Sequence, residues 1–293
     1  MEKTPFVSII IPVYNDTSRL KRCIKALEEQ TYPKGCYEIV VVDNGSKDNL
    51  SEIKSFENLR LEFETKSSQF AARNKGVSIS RGKILAFTDS DCIPSPRWIE
   101  GGVKAMLEQH NCGITGGAVN FLFKANKPNL IELYDSLFFL QQKRYVEEIK
   151  FAVTANLFTF KDIFNKVGLF NENLRSGGDG EWGKRVFAQG YNIIYSADAI
   201  VNHPARYKLS ELYKKIKRVT GGKFLREKRG DESFVRFWEV NFTEFSFGIN
   251  RVLKLKNVTL HRKIGLFILE LSIQLLRMYE LARLKYGKIP ERQ

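Results

Sequence analysis

Cysteine and histidine are scarce, with four of the first and three of the second in 293 residues. Cys23, Cys36, Cys92 and Cys112 form no CxxC pair and no zinc spacing with the histidines. That excludes a redox motif and a metal knuckle, and it leaves reduced core thiols of a cytosolic protein as the reading. Long apolar runs are missing as well. The first, residues 7–11, is stopped by Pro12 and is too short for a signal segment or a membrane span. On that reading the chain works in the cytoplasm, free or held peripherally at the inner face of the plasma membrane. No internal repeat or low-complexity tract interrupts it.

What is present describes a folded protein. Hydrophobic residues make up 43% and charged residues 27%, enough for a substantial core and one large domain with an appendage. The net charge of +14 is unevenly spread. Residues 1–205 carry 26 Lys and Arg against 24 Asp and Glu, net +2, whereas residues 206–293 carry 21 against 9, net +12. We therefore expect a domain over 1–205 and a basic, mainly helical extension over 206–293. The basic excess is either a solvated face or an attraction to anionic lipid or diphosphate. Nucleic acid is not expected as a partner, because no reader module or stacking platform is evident; an oligomer is compatible with the sequence.

Residues 7–11 read as a buried parallel strand that runs into the loop Pro12-Val-Tyr-Asn-Asp16. Residues 16–29 have helical spacing, with Leu20, Cys23, Ile24 and Leu27 on one side. A second strand, 38–43, ends at Asp43 before an Asn-Gly-Ser turn. Residues 51–57, 59–64, 69–80 and 83–88 then read as helix, strand, helix and strand, the last ending at Asp89-Ser90-Asp91. This alternation is that of an α/β protein with a doubly wound, mostly parallel sheet, whose ligands gather beyond the carboxyl ends of the strands. Farther on, the pattern predicts helices over 98–109 and 130–149 and strands over 113–123 and 156–160. Past His203 only basic helices are expected.

Asp43, Asp89 and Asp91 all fall at carboxyl ends of predicted strands. Three acids converging on one crevice repel one another without a cation, and a hard divalent ion, Mn2+ or Mg2+, shared with substrate phosphates is their natural partner. The bland alternative is aspartates that cap helices.

Ser8-Ile-Ile-Ile-Pro-Val-Tyr-Asn15, Val40-Val-Val-Asp43, Ala72-Arg-Asn-Lys-Gly76, Arg81-Gly82 and Leu85-Ala-Phe-Thr-Asp-Ser-Asp91 follow one another in this order. Gly177-Gly-Asp-Gly-Glu-Trp-Gly-Lys-Arg185, Gly190-Tyr-Asn-Ile-Ile-Tyr195 and Val201-Asn-His203 come later. In order and spacing the series strongly resembles family-two glycosyltransferases. The resemblance implies the GT-A fold, with a Rossmann-like nucleotide half. It also implies an inverting, metal-dependent transfer from a nucleoside-diphosphate sugar, UDP first among them, to a hydroxyl of a glycan or lipid-linked acceptor. Cell-surface polysaccharide or glycolipid synthesis is the setting that fits.

Carried over by position, the resemblance makes Tyr14 the ring that stacks on the nucleobase, Pro12 the residue that shapes its loop, and Asp43 the acceptor of the base's imide N–H. Arg73 is similar to the family's arginine at base or diphosphate, and it is also placed to neutralise Asp43. Asp89 resembles the ribose or metal-shell residue, Asp91 the direct metal ligand, and His203 a histidine that reaches metal or diphosphate. Asp179 aligns with the general base, although Gly-Gly-Asp-Gly-Glu stands where most relatives carry Glu-Asp-x-Asp/Glu, so Glu181 is the runner-up. Trp182 either lines the sugar or acceptor pocket or belongs to the core. Arg185 is expected to pair with a nearby acid.

The tail adds two features. Residues 208–229 hold nine Lys and Arg against two Glu, and 263–281 read as a helix with a narrow polar stripe, Lys263, Glu270, Gln274, Arg277 and Glu280. That helix either packs on protein or lies in a membrane interface. Two other functions compete with the main reading. A nucleotidyltransferase-like enzyme needs a glycine-rich basic phosphate loop, which Pro12-Val-Tyr-Asn-Asp16 is not. A non-catalytic nucleotide-sugar binder predicts loss of the Asp-Ser-Asp motif or of the base, and both are present.

Overall fold

A run apolar on both faces suits a strand covered by helices on either side, and residues Val7–Val13 form such a strand, β1, with six of its seven residues buried. The structure is a computed structural model that describes residues 4–227, 248–256 and 258–287. After β1 come α1 (Thr17–Glu28), β2 (Tyr37–Asp43), β3 (Leu59–Phe63), α2 (Gln69–Ile79), β4 (Ile84–Thr88) and the short β5 (Ile93–Pro94). Next are α3 (Trp98–Glu108), β6 (Cys112–Leu122), α4 (Leu130–Phe138), α5 (Gln142–Arg144), β7 (Asn156–Phe160) and α6 (Lys161–Val167). The chain continues with α7 (Gly178–Ala188), β8 (Asn192–Pro204), α8 (Leu209–Glu227) and α9 (Leu260–Lys285). The basic segment read at 208–229 is α8 in the main; its last two residues, Lys228 and Arg229, lie outside the described residues.

The strands form one sheet in the order β3-β2-β1-β4-β7-β6-β8-β5. β3, β2, β1 and β4 are parallel neighbours, β7 is antiparallel to both β4 and β6, β8 is parallel to β6, and β5 is antiparallel to β8. The sheet is therefore mostly parallel, as expected. Two antiparallel steps, β4 to β7 and β7 to β6, restore the original direction, so the carboxyl end of β8 arrives at the same edge of the sheet as those of β1, β2 and β4. α1 buries Leu20, Cys23, Ile24 and Leu27 against this sheet, the four residues its spacing singles out. All four cysteines are free.

Two of the family-like motifs prove to hold the amino ends of the strands. Glu38 is fully buried and accepts from Ser8 Oγ (2.6 Å), the Arg81 backbone N–H (2.7 Å) and Arg81 Nε (2.9 Å). Burial raises the Glu38 carboxyl, but the bonds from Ser8 and Arg81 outweigh it and hold the group below its usual range. Gly82 is required beside them, since a Cβ there lies 2.5 Å from the Ser8 nitrogen.

Asn156 ties the second half of the sheet together. It accepts from Trp98 Nε1 (2.8 Å) and donates to the carbonyls of Ala118 (2.8 Å) and Ala199 (2.9 Å), so α3, β6, β7 and β8 share one buried side chain. Asn156→Ala leaves three buried polar groups unpaired and is expected to destabilise the protein by roughly 2–4 kcal/mol. A denaturant midpoint within error of the parent contradicts that role.

The chain divides into two compact units. Residues up to 122, 140–173 and 178–204 make the first, and 123–139, 174–177 and those from 205 onward make the second. This explains why the single helix expected over 130–149 is broken. α4 belongs to the second unit and α5 to the first, and between them Phe139 is extended and Leu140 takes a left-handed conformation (φ 49). Apolar periodicity runs through both pieces and does not register the change of core.

In the second unit, α4, α8 and α9 share a core that includes Tyr134, Leu212, Ile216, Leu266 and Ile273. Asp135 is fully buried and accepts from Arg206 Nη1 (2.9 Å) and the Arg206 N–H (3.0 Å). The polar stripe of α9 points inward: Glu270, Gln274 and Glu280 are all buried.

Candidate active site

The site is built from loops that leave the shared carboxyl edge of the sheet, all within the first unit. Tyr14 follows β1 and is 45% exposed, so its ring is open to a partner from solvent. Asn15 adopts φ 49, donates its N–H to Ser46 Oγ (2.9 Å) and accepts from the Lys47 N–H (2.7 Å). The Asn-Gly-Ser turn after β2 is thereby stitched to the Tyr14 loop. Asp43 stands at the end of β2, with Oδ1 accepting the Ser46 N–H (2.9 Å), and Pro12 lies in β1 opposite Val42.

Arg73 sits in α2 with its side chain only 3% exposed and donates from Nη2 to Asp89 Oδ1 at 2.6 Å. It does not pair with Asp43, the acid also considered for it, because Asp89 at the end of β4 takes the guanidinium. Nε and Nη1 of Arg73 are buried with no partner among the described residues. Two residues beyond Asp89, Asp91 places Oδ1 3.7 Å from His203 Nε2 and Oδ2 3.7 Å from Arg19 Nη1. His203 is buried at the carboxyl end of β8, and its Nδ1 also lacks a partner.

Asp179 lies in the first turn of α7. Gly178 lets that turn close on α2, since a Cβ there stands 2.7 Å from the Phe70 ring, the ring over which the Arg73 guanidinium lies at 5.7 Å. Burial raises the Asp179 carboxyl above its ordinary value; the Gly180 N–H (2.9 Å) and the Arg73 charge act against this, and the Asp89 charge adds to it. Asp179, Arg73 and Asp89 therefore form one electrostatic group.

Other expectations divide. Glu181 forms a two-point ion pair with Arg185 (2.7 and 3.1 Å), and Arg185 in turn donates to the carbonyls of Val167 and Leu169, so Glu181 is committed to holding a loop. Trp182 takes the core alternative and does not line a pocket. It is fully buried, stacks on Phe164 with ring centroids 4.5 Å apart, and donates Nε1 to the Gly168 carbonyl (2.9 Å). Nor do Asp43, Asp89 and Asp91 form a ligand triad: among the described residues no three His, Cys, Asp or Glu side chains gather closely enough to hold an ion unaided. The reason is Arg73, which supplies Asp89 with a cation from the protein itself.

What is left for a divalent ion is a carboxylate oxygen and an imidazole nitrogen, Asp91 and His203, with other positions open to phosphate oxygens and water. That donor set fits Mn2+ or Mg2+ bound together with a diphosphate. The crevice is also electronegative. The buried thiols of Cys23 and Cys92 are raised first by burial and then by the charges of Asp91 and Asp89.

Two residues at this edge were not singled out by sequence reasoning. Asp16 accepts from Arg19 Nε (2.6 Å) and from Ser90 Oγ (3.0 Å), which straps the start of α1 to the Asp89-Ser90-Asp91 loop. The signal was an acid and a base three apart immediately after the first strand's loop, which on its own reads as an ordinary helix-start pair.

The family model described as Glycosyl transferase family 2 matches residues 8–168. Glycosyltransferase AglE of Haloferax volcanii is 42% identical over 224 residues, covering 74% of this chain and 73% of that protein. Mannosyltransferase PcManGT from Pyrobaculum calidifontis, solved in complex with GDP-Man and Mn2+, superposes with a TM-score of 0.66 at 16% identity and covers 98% of this chain and 89% of that one. S. aureus TarS 1–349 in complex with UDP-GlcNAc gives a TM-score of 0.56 at 18% identity, covering 93% and 81%. At such identities the likeness establishes the GT-A fold and says nothing of the donor.

Proposed function

The chain belongs to glycosyltransferase family 2, and from that premise we propose that it is an inverting, metal-dependent enzyme that moves a sugar from UDP to a hydroxyl of a glycan or lipid-linked acceptor. The observation that carries this reading is the electrostatic group of Asp179, Arg73 and Asp89 beside the Asp91–His203 pair, all at one edge of the sheet. In-line attack at an anomeric carbon requires an acceptor hydroxyl that loses its proton on the face away from the departing diphosphate. Asp179, with its raised proton affinity, takes that proton.

Arg73 acts on the diphosphate through its charge and keeps Asp89 oriented toward the ribose through their ion pair. Tyr14 stacks on the base, Pro12 in β1 leads the chain into that position rather than lying in the loop, and Asp43 accepts the imide N–H of uracil. Asp91 and His203 would hold Mn2+ or Mg2+, with Asp89 in its outer shell, and when bound the ion offsets charge on the leaving diphosphate. The basic part from residue 206 onward, net +12, draws the chain to an anionic surface that displays the acceptor. Synthesis of cell-surface polysaccharide or glycolipid on the cytoplasmic side is the setting that fits this reading, with residues 1–205 as the catalytic part.

Calorimetry with free nucleotides tests the donor. UDP or dTDP is expected to bind at least about tenfold more tightly than GDP, because the N1–H of guanine stands farther from the ribose than the imide N–H of uracil, and a carboxylate placed for the pyrimidine does not meet it in register. Equal or tighter GDP binding removes Asp43 from this role.

A further inference from the structure

A helix at the surface of a soluble protein turns its polar residues outward. α9 does the reverse. Glu270 accepts from the Tyr134 hydroxyl and from Gln274 Nε2 (2.7 Å), and Ser272 Oγ accepts from the Tyr213 hydroxyl (3.1 Å), so the inward stripe is satisfied by hydrogen bonds inside the second unit. Glu280, buried as well, pairs with Arg283 (2.6 Å). Rotating the helix to hide its apolar side breaks the bonds to Tyr134 and Tyr213, and leaving such groups buried and unpaired is costly. The outward face is therefore a built feature.

That face is apolar without interruption. Ile264, Phe267, Ile268, Leu271, Leu275 and Met278 are all more than 40% exposed, and Tyr279 and Ala282 continue the row. No exposed position between 264 and 282 carries a charge. The face runs for about 27 Å at 1.5 Å per residue, far beyond a scatter of single exposed hydrophobes. Among the described residues no helix is long and apolar enough to cross a membrane.

The charges around the face select its occupant. Residues 248–287 contain eight Lys and Arg and two acids, and both acids, Glu270 and Glu280, are buried. His261, Arg262 and Lys263 flank one end of the row and Arg283 and Lys285 the other. A second copy of this chain would bring an equally basic surface against it and be repelled, whereas an anionic leaflet is attracted to the basic ends and receives the apolar row. We infer that α9 lies in the plane of an anionic lipid surface, its outward row set into the acyl boundary and its inward polar stripe holding the second unit above it. This goes beyond electrostatic attraction of the basic part: it assigns an inserting element.

The test uses the full chain and vesicles of phosphatidylcholine with or without phosphatidylglycerol, with neither donor nor acceptor present, so that its outcome is independent of the catalytic reading. The parent protein is expected to co-sediment with the anionic vesicles and to retain part of that binding at high salt. The double variant Leu271→Gln/Leu275→Gln is expected to lose about a hundredfold in partitioning, two apolar side chains at roughly tenfold each, with an unchanged thermal midpoint. In Phe267→Trp the added indole is expected to shift its emission to the blue on vesicle addition and to be quenched by brominated acyl chains. Equal sedimentation of parent and double variant, or an indole that lipid does not affect, overturns the proposal. A dimer that forms without lipid and that the double variant dissolves overturns it in favour of a second copy as the occupant.

Discussion

Asp179→Asn is expected to lower kcat by roughly a hundred- to ten-thousandfold, the usual span for a general base, while nucleotide binding stays within a few-fold of the parent. The amide keeps the side chain's size and removes only its ability to take a proton. In the parent, activity is expected to rise with pH as Asp179 loses its proton. Because burial raises that carboxyl, the acidic limb of kcat/KM should lie above the ordinary aspartate value of about 3.9. The same shift has a consequence for stability. A folded-state pKa above the unfolded one means that stability falls as pH rises from the unfolded to the folded value, and the cost of the buried charge persists above it. Asp179→Asn removes that cost, so at neutral pH the variant should be at least as stable as the parent while nearly inactive. A variant that keeps its rate, or an acidic limb at the ordinary value, takes the base role from Asp179. Glu181→Gln offers the contrast: its carboxylate is held by Arg185, so loosening of the Val167–Leu169 loop is expected ahead of any loss of rate.

Loss of Asp91 should be equally severe. Asp91→Ala is expected to reduce transfer on the order of a thousandfold, since the several kcal/mol of charge stabilisation at the diphosphate is lost with the ligand. A readout independent of turnover is Mn2+ binding in the presence of UDP, followed by electron paramagnetic resonance, which should weaken in Asp91→Ala and in His203→Ala. EDTA-treated enzyme turning over at the untreated rate contradicts metal dependence. Unchanged Mn2+ binding in both variants moves the ion elsewhere. Asp89→Asn separates the two acids: with Asp89 held by Arg73, its loss should affect nucleotide affinity more than ion affinity.

How readable each site residue is in the sequence depends on the kind of signal it leaves. Asp43, Asp89 and Asp91 stand out because a run of buried β-branched residues ends where a parallel strand ends, and the acids come immediately after it. Asp16 and Arg19 leave no such mark, and neither does Asn156, whose three partners lie 38 to 58 residues away in sequence. The break between α4 and α5 escapes for a related reason: both halves are amphipathic, but they face different cores.

Periodicity and strand-end position are local properties of the chain, and they were enough for the parallel part of the sheet, the α1 core face and the acids at the strand ends, while the resemblance carried by the ordered motifs between Ser8 and His203 gave the family. Which acid keeps company with which is a property of the folded molecule alone. Arg73 on α2 meets Asp89 at the end of β4 and not Asp43, and Trp182 goes to the core against Phe164 of α6, outcomes that depend on segments apart in sequence; Glu181 and Arg185, four apart in α7, are the local exception. α9 shows the same limit. Its sequence contains a polar stripe and an apolar remainder, but which of them meets solvent is a matter of packing, and buried hydrogen bonds to Tyr134 and Tyr213 turn the stripe inward.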